Sequence, residues 1–327
     1  MAIYLVSGVA GFIGSKVAEL LLSDGHTVVG VDNLNEAYDV RLKHWRLRRL
    51  KEKAGFEFHH KDITDREAMD SLFSAPRAES FRGIINLAAR AGVRQSVLDP
   101  WSYYKTNLTG TLNLLELSRE YGIKKFVLAS TSSIYGKDNP MPSQEDQDSN
   151  HPLSPYTASK KAAETLCYTY HYLYDLDVTV FRYFTVYGPA GRPDMSLFRF
   201  TQWISEEHPV LVFGDGLQSR DFTYVGDIAR GTIAGLKPLG YEIINLGSDT
   251  PIVLMDAIRL IESLVGKKAI LHFQPRHVAD VPASWADINK AERLLGWRPE
   301  SPFEKGVEAL VKWYQSNREW AKDIVTS

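Results

Sequence analysis
The 327-residue chain has one cysteine, no dominant charge and no long apolar run, and each scarcity removes a class of protein. Cys167 alone cannot close a disulfide. Inside an aromatic helical stretch it reads as a small core residue rather than a nucleophile, which fits a reducing compartment. With 38 basic against 40 acidic residues the net charge is −2, too little to draw in nucleic acid or a membrane surface. Any anionic ligand must then be met by individual arginines or helix ends. The apolar start from Ile3 to Gly14 has no basic region before it and is broken by glycines, and nothing approaches the roughly 18 apolar residues of a membrane span. A cytoplasmic protein is expected. Internal repeats and low-complexity tracts are missing, and no metal site is indicated. A composition of 44% hydrophobic and 24% charged residues is ordinary for a globular chain with a main domain and a smaller partner.

What is present begins with a strand, a glycine turn and a helix. Ile3 to Val6 suits a buried parallel strand and runs into Gly8-Val-Ala-Gly11-Phe12-Ile13-Gly14, after which the period turns helical. Gly8 allows the tight turn, Gly11 lets backbone approach a pyrophosphate, and Gly14 lets helix pack on strand. The next strand, from Thr27, ends at Asp32, whose carboxylate suits the hydroxyls of an adenosine ribose and would repel a 2′-phosphate, favouring NAD over NADP. Arg41 to Lys53 is a basic helical stretch, read as a solvated face from which one cation could lie near the adenosine. Phe56-Glu-Phe58 leads to Asp62-Ile63, a plausible adenine contact. Gly83 to Ala89 reads as a fourth strand with small residues at its end. Asn107 lies on a long helix from Tyr103 to Tyr121, as a cofactor contact or a satisfied structural amide.

A fifth strand, from Lys124 to Ala129, ends in Ser130-Thr131-Ser132-Ser133, and open parallel sheets bind ligands at that edge. Residues 137–153 form a surface loop. Ser154-Pro-Tyr156-Thr-Ala-Ser-Lys160 then puts a Tyr and a Lys four residues apart, on one face of a helix. A phenol titrates near pH ~10 and serves as a base at neutral pH only where a fixed cation favours the phenolate. Lys160 can be that cation. Tyr156 could then take a proton from an alcohol whose hydride leaves to an acceptor, with Thr131 or Ser132 donating to the reacting oxygen.

Together, Gly8-x-x-Gly11-x-x-Gly14, Asp32, Asn86-Leu87-Ala88-Ala89, Thr131 and Tyr156-x-x-x-Lys160 resemble the extended short-chain dehydrogenase/reductase superfamily, in its nucleotide-sugar epimerase branch. The resemblance implies an α/β Rossmann doubly wound parallel sheet holding NAD, with a smaller C-terminal α/β lobe for the nucleotide sugar. Residues 1–184 would form the first domain, with 226–250 returning to it, and 185–327 the second. It implies Tyr156 as base and acid, Lys160 lowering its pKa and holding the nicotinamide ribose, and Thr131 assisting. Phe12, Ile13, Asn33, Leu87, Ala88, Ala89, Ser130, Tyr156 and Tyr183 would join the cofactor contacts.

Arg182-Tyr-Phe-Thr185-Val-Tyr-Gly-Pro189-Ala-Gly-Arg192-Pro-Asp194-Met195 looks like the signature of the UDP-glucuronate 4-epimerases within that branch. Thr185 and Arg192 offer a hydroxyl and a cationic fork suited to a sugar carboxylate. The Asp-Glu pair of related 4,6-dehydratases and the Glu of related decarboxylases are missing at Ser132 and Ser133, so the hydride is expected to leave and return to the same carbon. By resemblance Met195, Leu197 and Phe198 meet the uracil, Val212 and Phe213 lie against the base, Arg220 meets the diphosphate, and Tyr224 and Asp280 lie in the substrate lobe. The reading is NAD-dependent 4-epimerisation of UDP-glucuronate. UDP-glucose or an N-acetylhexosamine are alternative substrates, and a non-catalytic NAD sensor is an alternative of another class. The aromatic run from Cys167 to Tyr174 suits a homodimer paired through a four-helix bundle.

Overall fold
The computed structural model describes residues 1–74, 81–275 and 281–326. Its strands are β1 (Ile3–Ser7), β2 (Thr27–Asp32), β3 (Phe56–His60), β4 (Phe81–Asn86), β5 (Lys125–Thr131), β6 (Asp177–Tyr183), β7 (Thr185–Tyr187), β8 (Pro209–Phe213), β9 (Ser219–Tyr224), β10 (Tyr241–Leu246), β11 (Pro251–Val253) and β12 (Ile270–Gln274). Seven of them make one sheet in the order β10-β6-β5-β4-β1-β2-β3, parallel at every pairing. The strands are nearly continuous apolar runs because helices cover both faces, and a separate buried cluster lies on each side of the sheet. Chain direction across the sheet reverses between β1 and β4, and a crevice opens there at the carboxyl edge. The doubly wound fold expected from the sequence is the one observed.

The second lobe is built on two small sheets, β11-β9-β7 and β12-β8, with its own core from Leu197, Phe198, Val212, Phe222, Leu310 and Tyr314 among others. Strand β10 crosses back to pair with β6, so the chain between the lobes is not cut once. The long helix after β4 departs from its expected form. It runs as Val93–Leu98, Pro100–Tyr103, a π-helical turn Tyr104–Thr109, and Gly110–Glu120. Within that turn Asn107 is buried and fully engaged: its amide oxygen accepts from Arg90 N at 2.8 Å, and its amide nitrogen donates to Arg90 O at 3.0 Å and to Ser159 Oγ at 2.9 Å. No helix among the described residues is long and apolar enough to cross a membrane.

Candidate active site
A cleft of about 390 Å³ follows the carboxyl edge of the large sheet, from the glycine turn to Tyr156, Thr185 and Arg192. Gly8 stands at φ +67°, and a Cβ there would lie 2.7 Å from Ala88 N. At Gly14 a Cβ would fall 2.2 Å from Gly8 O, so only glycine lets the helix Phe12–Ser23 start this close to the turn. Asp32 closes the end of β2, accepting from Ala10 N at 3.1 Å and Leu34 N at 2.8 Å. Each carboxylate oxygen keeps a lone pair for a ribose hydroxyl. Asn33 donates to Asp62 at 2.8 Å. Burial raises the Asp62 carboxyl, but the Thr64 amide and Asn33 outweigh it and hold it below its usual value. A backbone cradle that side chains would fill, next to a paired-acceptor carboxylate, fits a dinucleotide without a 2′-phosphate.

The other end is set by the helix Pro155–Tyr174. Ser154 caps it, accepting from Thr157 N at 3.2 Å, and Pro155 occupies its first turn, which brings Tyr156 to the cleft beside the end of β5. Burial raises the Tyr156 phenol above its ordinary value, with the Thr131 hydroxyl and Arg192 acting against that rise. The cation expected in this role was Lys160. Its ammonium instead donates to Ala129 O at 2.8 Å, and burial brings it down to about 8, opposed by Glu164. Tyr103 packs edge-on against Tyr156 at 6.1 Å between ring centres.

Arg192 does not stand as an open fork. Its Nε and Nη2 hold Asp194 at 3.1 and 2.5 Å, and Nη2 also reaches Ala91 O at 3.3 Å. A sugar carboxylate would have to share this guanidinium with Asp194.

Most of the expected residues line the cleft: Gly8, Gly11, Phe12, Ile13, Gly14, Asp32, Asn33, Asp62, Ile63, Leu87, Ala88, Ala89, Ser130, Thr131, Ser132, Ser133, Tyr156, Lys160, Tyr183, Thr185, Arg192 and Met195. Two of these hydroxyls are turned to the protein, Ser130 donating to Glu164 at 2.5 Å and Tyr183 sharing a bond with Thr232 at 2.8 Å. Others stand elsewhere. Asn107 is not among the cleft residues, and both its N–H donors are taken by Arg90 O and Ser159 Oγ. Leu197, Phe198 and Val212 are buried in the second lobe, where apolar packing claims them. Phe213 lies under Arg94 at 4.3 Å, and Tyr224 packs on Tyr187 at 5.9 Å. Arg220 donates to Ser219 O at 2.8 Å and Pro282 O at 3.4 Å and is not among the cleft residues. Asp280 lies outside the described residues.

Sequence reasoning allowed one cation of the stretch Arg41 to Lys53 near the adenosine but missed the burial of the inner face of the helix Val40–Lys51. Lys43 and Arg46 there are buried, not solvated. Lys43 lines the cleft and donates to Asn35 O at 2.7 Å; burial brings it down to about 8, Asp32 opposing. Arg46 donates to Ala10 O, Tyr38 Oη, Ala190 O and Gly191 O at 2.6–3.1 Å, tying the glycine turn to the turn before Arg192. Both share a helical stripe with Leu42, Leu47 and Leu50, and that spacing was the available signal.

The model of a family described as GDP-mannose 4,6 dehydratase matches residues 5–310. UDP-glucuronate 4-epimerase of Thermodesulfobacterium geofontis is 57% identical over 325 residues, covering 99% of each chain. UDP-glucuronic acid 4-epimerase of Bacillus cereus, solved with UDP-glucuronic acid and NAD, matches with a TM-score of 0.90 at 35% identity, over 96% of this chain and 99% of that one. UDP-glucose 4-epimerase of Thermotoga maritima, solved with UDP-glucose, matches at 0.89 and 33%, over 97% and 99%. The chain thus belongs to the GDP-mannose 4,6 dehydratase family and, within it, to the extended short-chain dehydrogenase/reductase epimerases of nucleotide sugars.

Proposed function
We propose that this protein interconverts UDP-glucuronate and UDP-galacturonate by NAD-dependent epimerisation at C4. The observation that carries the reading is one cleft holding the glycine turn and Asp32 at one end and Tyr156, Thr131, Thr185 and Arg192 at the other. Gly8, Gly11, Gly14 and Asp32 would hold NAD, with Lys160 on its nicotinamide ribose. Bound NAD supplies an acceptor that takes one hydride and gives it back, so the net redox change is zero. Tyr156 takes the proton of the sugar 4-hydroxyl and later returns it, and Thr131 steadies that oxygen. Arg192, the cation acting on Tyr156, favours its phenolate form. Residues 1–184 with the returning strand β10 would carry the cofactor, and from 185–327 Thr185, Arg192 and Met195 would meet the nucleotide sugar in the cleft.

The 4-keto sugar is a β-keto acid, and it loses its carboxylate most readily when that bond stands perpendicular to the carbonyl plane. Thr185 and Arg192 hold the carboxylate away from that angle. One observation favours a neutral sugar as the second reading: Asp194 already occupies Arg192. Proton NMR of the purified protein with UDP-glucuronate and, separately, UDP-glucose, without added cofactor, decides between them. Conversion of UDP-glucuronate alone is the expected result, and conversion of UDP-glucose alone would overturn the carboxylate pocket. Turnover of neither, nor of UDP-N-acetylglucosamine, with NAD added as well, would leave a non-catalytic NAD-binding protein.

The protein is expected to act as a homodimer in the cytoplasm. Tyr172, 77% exposed, with Tyr168 and Leu173 on the helix Pro155–Tyr174, and Trp101, 83% exposed, with Leu98 on the helical stretch before Tyr104, offer apolar surface for a four-helix bundle. The thiol of Cys167 is buried and raised by desolvation, as befits a core residue rather than a nucleophile.

A further inference from the structure
Lys160 is a buried ammonium, and the structure gives it one hydrogen-bond acceptor, the Ala129 carbonyl at 2.8 Å. A lone neutral acceptor does not compensate a charge removed from water. The compensating group stands one helical turn further on. Glu164 follows Lys160 by four residues on the same face of the helix Pro155–Tyr174 and is itself buried.

Three bonds fix Glu164. Ser130 on β5 donates to its Oε1 at 2.5 Å, and Arg182 on β6 donates from Nε to Oε1 at 3.2 Å and from Nη2 to Oε2 at 2.9 Å. Arg182 is pinned in turn, donating to Glu145 O at 3.1 Å and lying over the Tyr135 ring at 4.9 Å. Positive, negative and positive charges thus alternate from Lys160 through Glu164 to Arg182, with the negative group in the middle. Ser130 is the residue before Thr131 and the one after Ala129, so the strand that presents Thr131 and accepts from Lys160 is also the strand bound to Glu164.

We propose that Glu164 is a positioning residue for the epimerase centre, buried between Ser130 and Arg182, that keeps the Lys160 ammonium charged and holds its helix in register with β5. This rests on the proposed epimerase reading, in which Tyr156 handles the proton and Lys160 holds the nicotinamide ribose. Burial drives Lys160 down to about 8, and Glu164 is the largest influence acting in the other direction. The remaining groups around Lys160 do not serve as counter-charge: the Cys167 thiol is raised by burial and stays neutral, the Tyr156 phenol is raised, and Ser130 and Thr131 on β5 carry no charge. Charges on buried residues one helical turn apart shift each other by about one to two pH units at an effective dielectric of about 20. Glu164 shares its charge with Arg182 and Ser130, so about one unit is expected at Lys160.

The test is the titration of Lys160 itself, followed by NMR in protein made with isotope-labelled lysine and assigned by the signal lost in Lys160→Met. Glu164→Gln should move the midpoint down by about one pH unit, and the alkaline limb of the epimerisation rate should move with it. Because Glu164→Gln leaves Arg182 buried without a counter-ion, Glu164→Gln with Arg182→Met provides a variant free of that burden, and its midpoint should fall as well. Ser130→Ala keeps every charge and should leave the midpoint within about 0.3 unit. A midpoint unchanged in the double variant would overturn the proposal. Because the titration needs no turnover, a failure of the epimerase reading would show separately, as missing activity in the unaltered protein.

Discussion

Replacing Arg46 with Met tests how the two ends of the cleft are held to each other. The guanidinium makes five hydrogen bonds, to Ala10 O, Tyr38 Oη, Gly191 O and twice to Ala190 O. Ala10 lies in the glycine turn, and its own N–H holds Asp32; Ala190, at φ +52°, and Gly191 lead into Arg192. Methionine fills the stem of the side chain and serves none of these acceptors. Three backbone carbonyls lose their donor at about 1–3 kcal/mol each, and water reaching the half-buried Tyr38 side recovers part, which leaves a loss of about 3–5 kcal/mol. For a chain of 327 residues that lowers Tm by roughly 4–7 °C. Scanning calorimetry with and without NAD measures it, and calorimetric titration should show weaker binding of both NAD and UDP-glucuronate. Arg46→Lys, a point charge in place of a fork, should recover less than half. A Tm within about 2 °C of the unaltered protein, with both affinities kept, would refute this account of the junction.

Tyr156→Phe should lower turnover by about 10²–10⁴-fold while NAD affinity, measured by calorimetry, stays within about twofold, since only the proton transfer is lost. Arg192→Ala should raise the ratio of pentose to epimer in the products seen by NMR; an unchanged ratio with weaker binding would reduce Arg192 to an affinity contact. Lys43 and Lys160 both lie near about 8 in the fold against an ordinary 10.5. Between those pH values the unfolded chain binds more protons, so each lysine makes stability rise with pH through that window, by at most about 3 kcal/mol. Lys43→Met should roughly halve the rise in urea melts, and equal slopes would contradict the burial of Lys43. In light scattering the unaltered protein should have twice the mass of one chain, and Trp101→Glu with Tyr172→Glu should reduce it to one; a monomeric unaltered protein would rule out the bundle.

The parts of this protein legible in the sequence are those where chemistry and local structure coincide. A glycine turn after an apolar strand, an acid closing the next strand, and a Tyr-x-x-x-Lys helix opened by Ser-Pro each specify their own backbone, so Gly8, Gly14, Asp32, Tyr156 and Lys160 could be placed without seeing them together. Tertiary structure decided what those groups touch. Arg41 to Lys53 reads as a solvated basic helix because charge normally seeks water, but the packing of the second lobe against the glycine turn buries Lys43 and Arg46 among carbonyls contributed from 8 to 145 residues away. Asn107 has the right position for a cofactor contact, and a π-helical turn directs its amide to Arg90 and Ser159 instead. Lys160 donates to the Ala129 carbonyl with Glu164 one turn away, and Arg192 is bonded to Asp194 two residues on, so neither cation stands as open as its motif suggests. A sequence records which charges a chain carries and which neighbours lie within a turn; burial, and partners such as Arg182 for Glu164, come from the packing of distant elements.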